Sequence, residues 1–230
     1  MSGDRLGAVR VDYEGEGLDE AGCPDAPWRI LRAWVDAAVA RAARHDDVPE
    51  PTAVSVATVD AQGDPDVRTV LMRDLDVQGP SFFGGLDSTK GRQLAARPRV
   101  ALGLTWPSLY RAVRLRGGAH ELSRSEVEAY FRTRPWGSRI GAHASEQSAP
   151  LPDRAALEEA YRRYALRWPD TGSPDDVPVP PGWGGWRVTV DRVELWAGRR
   201  SRLHDRIVWE RTGPGGLDEP DAWRRSRLSP

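Results

Sequence analysis

Apolar positions in this chain change their spacing several times, and each change marks an element. In residues 26–46, APWRILRAWVDAAVARAARHD, the residues Trp28, Leu31, Trp34, Val35 and Ala38 recur at helical spacing and predict an amphipathic helix with one core face. Between 49 and 86 the period drops to two. Three β-rich runs, 53–59, 67–75 and 80–84, are separated by DAQGD and DVQG, which predicts an antiparallel meander. STKGRQLAARP (88–98) opens with a Ser cap and reads as a short helix that stops before proline. RVALGLTW and RAVRLRGGAHELS supply further strands. SRSEVEAYFRTRP (123–135) predicts a helix with a capping box from Ser123 to Glu126, and DRAALEEAYRRYALRWP (153–169) another amphipathic helix. A Pro-, Asp- and Gly-rich loop spans 170–182, and WGGWRVTVDRVELWAG and SRLHDRIVWER form a closing pair of strands. Six or more strands at hairpin spacing, with helices inserted between them, predict an α+β fold built on an antiparallel β-barrel with peripheral helices. Residues 1–25 lack sustained periodicity and read as a flexible arm before a single domain, 26–230.

Composition narrows the function. The 230 residues carry a net charge of −1, so no global field draws the protein to nucleic acid, and any anion site must be a local gathering of cations. Of the 33 basic residues only Lys90 is lysine, consistent with a codon bias toward arginine. Cys23 alone cannot form an internal disulfide, no long apolar run exists, and the first residues have no apolar core of the signal-peptide kind; a soluble cytoplasmic protein, with no membrane partner, is the expectation. His45, His120, His143 and His204 lack metal-ligand spacing, so no metal is expected, and no Gly-rich loop matches a nucleotide fingerprint.

Anion recognition is what remains. Arg68 and Arg73 flank RTVLMR, and Lys90 starts a helix after Ser88 and Thr89, where free N–H groups and a cation suit a phosphate. Tyr130, Arg134 and Ser138 could grip a second phosphate. In SRLHDR (201–206), a strand would put Arg202, His204 and Arg206 on one face. Taken singly, each of these features is explained more readily by solvated surface arginines and simple helix capping; their combination is more informative.

Taken in order, EPTAVSVATVDAQGDPDVRTVLMR, SFFGGLDSTKGRQL, AYFRTRPWGSRIGAHASEQS, PPGWGGWRV, VELWAGRRSRLHDR and the terminal RLSP resemble the pyridoxamine (pyridoxine) 5′-phosphate oxidases, flavoenzymes with an FMN-binding split-barrel fold. The resemblance implies a homodimer with FMN at the subunit interface, oxidising a phosphorylated small molecule with O2 and giving H2O2. It implies that Arg68, Thr69, Val70, Leu71, Arg73, Thr89 and Lys90 hold FMN, with Gln147, Ser148, Trp196 and Arg206 completing the flavin pocket. The substrate phosphate would meet Arg73, Tyr130, Arg134 and Ser138. Arg202 and His204, the catalytic pair, would lie over the substrate ring where hydride passes to the flavin. RVDY supplies Arg10 and Tyr13 as the match to an arm that closes over substrate.

This chain departs from the family pattern mainly on the flavin side. The lysine ending RTVLLK is Arg73; FFTNY is FFGGL (82–86); Ser-Arg-Lys is Ser88-Thr89-Lys90. Arg-Gln-Val is Arg111-Ala112-Val113, GAW is Gly141-Ala142-His143, and FWQG is Leu195-Trp196-Ala197-Gly198. Losing one charged phosphate contact costs about 1.5–3 kcal/mol, so weakened but retained FMN binding is expected. Two other readings follow from these changes: a divergent flavin oxidase of a secondary-metabolite pathway, similar to phenazine-biosynthesis enzymes, and a non-catalytic binder of flavin or pyridoxal phosphate.

Overall fold

The computed structural model describes residues 12–230. Five helices, α1 (Trp28–Ala42), α2 (Thr89–Ala96), α3 (Arg124–Arg132), α4 (Trp136–Ala144) and α5 (Arg154–Arg167), are set among eight strands. The strands are β1 (Ala53–Val59), β2 (Pro65–Asp76), β3 (Gly79–Gly85), β4 (Arg99–Trp106), β5 (Arg111–Glu121), β6 (Trp183–Ala197), β7 (Asp205–Arg211) and β8 (Trp223–Leu228). They hydrogen-bond in the order β3-β2-β1-β4-β5-β6-β7-β8, and β3 also pairs with β6, closing β1–β6 into an antiparallel barrel. The expected α+β barrel is the fold observed.

The chain groups into two compact units. One comprises the chain up to Ser55 with Leu102–Arg116 and Val190–Pro230. Its core takes the predicted α1 face, Leu31, Trp34, Val35 and Ala38, together with Val193, Leu195, Ile207 and Trp209. The described part of the N-terminal segment is attached to this unit: Leu18 N–H donates to Asp205 at 2.9 Å, Cys23 is buried, and Trp209 donates to Pro24 O at 3.1 Å.

The other unit comprises Val56–Ala101 and Gly117–Thr189. Val127, Phe131, Ile140, Val177 and Trp183 form a core cluster there. The capping box of α3 is present as predicted, Ser123 accepting from the Glu126 N–H while Glu126 accepts from the Ser123 N–H. The β3–β6 register sets Phe83 opposite Gly185, Gly84 opposite Gly184 and Gly85 opposite Trp183. A Cβ at Gly185 would fall 2.5 Å from the Phe83 ring and one at Gly184 2.5 Å from the Leu86 side chain, so a larger residue at either position would displace these side chains.

One local expectation is corrected, and two elements, α4 and β8, lie outside the predicted set. SRLHDR is not one strand: Ser201 and Arg202 have φ of 56° and 61°, residues 200–202 form a 3₁₀ turn, and β7 begins only at Asp205. Arg202, His204 and Arg206 therefore do not share a strand face. The turn was hidden because non-glycine residues occupy its left-handed positions. α4 was missed because Pro135 ends the α3 pattern, and among its residues only Arg139 and Ile140 are buried. β8 was missed because its alternation is carried by arginines, with Trp223 its buried residue.

Gly91, in the first turn of α2, packs against the backbone of the preceding loop: a Cβ there would lie 1.9 Å from Leu86 O. Backbone cannot swing aside as a side chain can. Gly91→Ala should lower the unfolding free energy by about 3 kcal/mol, read as a reduced urea midpoint at unchanged m-value.

Candidate active site

In the second unit, β2, β3, α2, α3 and α4 enclose a cleft of about 1090 Å³. Of the residues singled out from sequence, Thr69, Val70, Leu71, Arg73, Tyr130, Arg134, Ser138 and Gln147 line it. A β-bulge sets Arg73 there, since Met72 pairs with Phe82 and Asp74 with Ser81, leaving Arg73 as the extra residue that the bulge re-aims. The segment RTRPWGS (132–138) is an elbow between two helices. Tyr130 lies in the last turn of α3, Arg134 in the connection and Ser138 in the first turn of α4, whose start Pro135 fixes.

The wall behind these polar groups is aromatic. Phe83 stacks on Tyr130 at 4.0 Å and on Trp183 at 5.5 Å, ring planes 22° and 11° apart. The Arg134 guanidinium lies 4.7 Å over the Trp183 ring. Its Nη1 is buried without a hydrogen-bond partner, and Arg134 and Arg73 form no ion pair among the described residues. Burial, with the neighbouring charges of Arg73 and Arg139, depresses the Arg134 pKa. Two guanidiniums thus face the cleft without a carboxylate, one of them with an orphaned donor that an anion would satisfy.

Lys90 makes a second cationic centre in this unit. Its ammonium, 3% exposed, donates to Gln147 Oε1 at 2.7 Å and Ser88 Oγ at 3.0 Å, both neutral oxygens. Gln147 Oε1 also accepts the Gly85 N–H at 2.9 Å. Gly84 leaves the room: a Cβ there would stand 2.5 Å from Lys90 Nζ and 2.9 Å from Gln147 Oε1. Burial and the charge of Arg68 pull the Lys90 pKa down to about 8. Arg68 itself is held internally, donating to Thr58 Oγ1, Asp66 Oδ2 and Gln93 Oε1 at 2.5, 2.5 and 3.2 Å. Thr89 is half-buried in the first turn of α2, and exposed Ser148 follows Gln147 with φ of 73°.

In the first unit Tyr13, Trp196 and His204 form one aromatic cluster, Tyr13 meeting His204 edge-on at 5.2 Å and Trp196 at 5.8 Å. Trp196 and His204 are 4.6 Å apart. His204 Nδ1 accepts the Arg199 N–H at 3.0 Å, which leaves the proton of the neutral ring on Nε2. Arg202 is exposed and forms no ion pair among the described residues. Arg206, cross-strand from Trp196, is tied to the buried carboxylate of Glu194 at 2.9 Å. Asp205 accepts from Leu18, Arg199 and Arg227, a structural role. Arg10 lies outside the described residues.

Sequence reasoning missed Glu194, the Phe83–Trp183 stack and the Gly84 recess. Of these Glu194 carried a signal, a lone carboxylate inside the apolar run VELWA. Among the described residues no three His, Cys, Asp or Glu side chains are placed to hold a metal, and no helix is long and apolar enough to cross a membrane.

A closed barrel of this strand order, with an arginine-walled anion cleft and a buried ammonium, has the build of the split-barrel flavin-dependent oxidoreductases. The family model described as pyridoxamine 5′-phosphate oxidase matches residues 41–168, and that of the pyridoxine 5′-phosphate oxidase C-terminal dimerisation region matches 183–230. The chain belongs to the pyridoxamine 5′-phosphate oxidase family. It is 47% identical over 222 residues to the pyridoxine/pyridoxamine 5′-phosphate oxidase of Kineococcus radiotolerans, covering 96% of this chain and 97% of that protein. To the Streptomyces avermitilis protein of the same description it is 45% identical, covering 97% and 95%. Among solved structures, PhzG from Burkholderia lata in complex with tetrahydrophenazine-1-carboxylic acid superposes with a TM-score of 0.81 at 26% identity, covering 94% of this chain and 99% of that one.

The orphaned Nη1 of Arg134 contributes no hydrogen bond to the fold. Arg134→Met, which preserves contact with Trp183, should change the unfolding free energy of the ligand-free protein by no more than about 1 kcal/mol while weakening phosphate-ester binding at least tenfold. Urea denaturation and ligand titration of the same preparation check both halves.

Proposed function

We propose that the protein is an FMN-dependent oxidase converting pyridoxamine 5′-phosphate or pyridoxine 5′-phosphate to pyridoxal 5′-phosphate with O2, releasing H2O2. The observation that carries this reading is the uncompensated pair Arg73 and Arg134 in one cleft with the hydroxyls of Tyr130 and Ser138, a donor set matched to a phosphate dianion. Gripping the remote phosphate orients the reacting carbon, so binding energy is spent on position. FMN fits the remaining chemistry: Lys90 is a buried cation with only neutral partners, and the Gly84 recess gives room for a phosphate oxygen to compete for it. Lys90, Gln147 and the β2 edge at Thr69–Leu71 would hold the cofactor, with Arg68 behind them as a fixed positive charge. Bound FMN supplies the hydride acceptor that O2 reoxidises. Arg202 and His204 take the ring-facing role, and His204, its Nδ1 held by Arg199, presents Nε2 to relay a substrate proton. A cytoplasmic homodimer, joined through the 183–230 region with FMN at its interface, belongs to the same proposal.

The likeness to the structure solved with tetrahydrophenazine-1-carboxylic acid supports a second reading, a secondary-pathway flavin oxidase acting on a carboxylated ring. The complete phosphate grip favours the first.

Under anaerobic conditions, pyridoxamine 5′-phosphate should bleach the bound flavin, and air should restore the colour with one H2O2 per turnover. Bleaching by a reduced-ring aromatic acid and by neither vitamer phosphate would move the assignment to the second reading.

Lys90 makes cofactor binding proton-linked. An anion favours the charged ammonium, so above the free-state value of about 8 binding must take up a proton. FMN affinity, followed by quenching of flavin fluorescence, should be level between about pH 7 and 7.5, where the phosphate is a dianion, and fall toward about tenfold per unit above pH 8.5. Lys90→Met should be weaker throughout and lack this slope.

A further inference from the structure

Glu194 is the most completely buried acidic side chain among the described ion pairs, 2% exposed, and no role in the reaction has been given to it. It lies on β6 within an otherwise apolar run, one alternate position from Trp196. Three guanidiniums converge on it. Its Oε1 accepts from Arg114 Nη1 at 2.5 Å and from Arg206 Nε at 3.0 Å and Nη2 at 2.9 Å. Its Oε2 accepts from Arg192 Nη1 at 3.1 Å. Burial alone would raise its pKa, but the Arg206 hydrogen bond and the three positive charges outweigh that and hold it below the usual range.

This geometry exceeds what stability requires. One carboxylate paired with one arginine would be neutral; one carboxylate shared by three has positive charge left over, and Glu210 lies 4.0 Å from Arg192. Arg206 is clamped at two nitrogens by Glu194, and Nη1 donates to Ser229 O at 3.0 Å, so the plane of its guanidinium is set on two sides. An arginine so oriented loses little further side-chain freedom when a ligand arrives.

We propose that Glu194 is a positioning residue for the flavin: it fixes the Arg206 guanidinium in its binding orientation and acts on the cofactor only through that arginine. The proposal rests on the FMN reading above, with Arg206 in the flavin pocket as the family resemblance implies. It predicts non-additivity, because removing Glu194 can cost binding only while Arg206 is there to be misplaced.

The test is a double-mutant cycle on FMN binding, measured by fluorescence quenching on apoprotein, with thermal melts on every variant. Glu194→Gln keeps the shape and removes the charge; Glu194→Asp keeps the charge and withdraws it by one methylene. Each should weaken FMN binding about five- to tenfold in the native background and less than twofold in the Arg206→Ala background. The visible flavin spectrum of Glu194→Gln should also shift toward that of Arg206→Ala. Equal losses in both backgrounds would show a general structural role and overturn the proposal. FMN affinity unaffected by Arg206→Ala in a protein that binds FMN would overturn it together with the role of Arg206. Failure of the native apoprotein to bind FMN would overturn the cofactor reading itself. Should Glu194→Gln not fold, the same cycle with Glu194→Asp decides.

Discussion

The close pairing of β3 with β6 is the constraint on which the cleft depends. Phe83 can face β6 only because Gly185 offers no side chain, and the resulting approach sets Phe83 flat against Trp183 and Tyr130. That stack supplies the apolar body of the wall, worth about 0.5–1.5 kcal/mol per ring pair beyond buried area. Arg134 then lies along Trp183, its charged plane supported by an aromatic face and not by a carboxylate. The adjacent Gly84 performs the opposite service, leaving empty the volume into which Lys90 and Gln147 turn. Adjacent glycine positions in one ladder thus shape the aromatic wall behind Arg134 and seat a buried ammonium.

Arginine appears here in two physical regimes. Arg68 and Arg206 are tied by internal acceptors, so their charges are fixed in place and already partly compensated. Arg73, Arg134 and Arg202 have no such tether among the described residues, and Arg134 carries an orphaned donor. Arg73 and Arg202 are exposed, but a buried donor such as Arg134 Nη1 left without a partner costs free energy that an anion there would reduce. The tied arginines hold their charge in a set orientation, and the untethered ones keep donors available to an anion. A chain with net charge of −1 can do this because the excess is local, with acidic residues placed elsewhere.

The sequence conveyed most of the fold and the composition of the site. Helical and strand periods located α1, β1 and α3 to within a few residues, because each buries one regular face. The elements without a regular apolar face were lost: α4, which begins at a proline-terminated elbow, and β8, built from arginines. Residue types such as Arg134 and Lys90 could be read as anion ligands, but their compensation could not. That Arg68 spends its donors on Thr58, Asp66 and Gln93 depends on contacts up to 25 residues apart, and the clamp on Arg206 on a partner strand. The positive φ at Ser201 and Arg202 was unreadable because neither residue type announces it.

The single lysine makes the final point about composition and constraint. With arginine at 32 of 33 basic positions, codon bias alone would place arginine at 90 as well. The site argues against it. A guanidinium is planar, wide and permanently charged, whereas an ammonium is compact and can lose its proton when desolvated. Lys90 Nζ occupies a recess that a single Cβ at 84 would overlap, with two neutral oxygens for partners and the charge of Arg68 nearby. A permanent cation there would bear the full desolvation cost whenever the anion is absent. The ammonium, its pKa lowered to about 8, can instead give up part of its charge when unpaired and would regain it fully beside a phosphate. Position 90 is therefore lysine because the recess selects for size and for a titratable charge, against the bias of the rest of the chain.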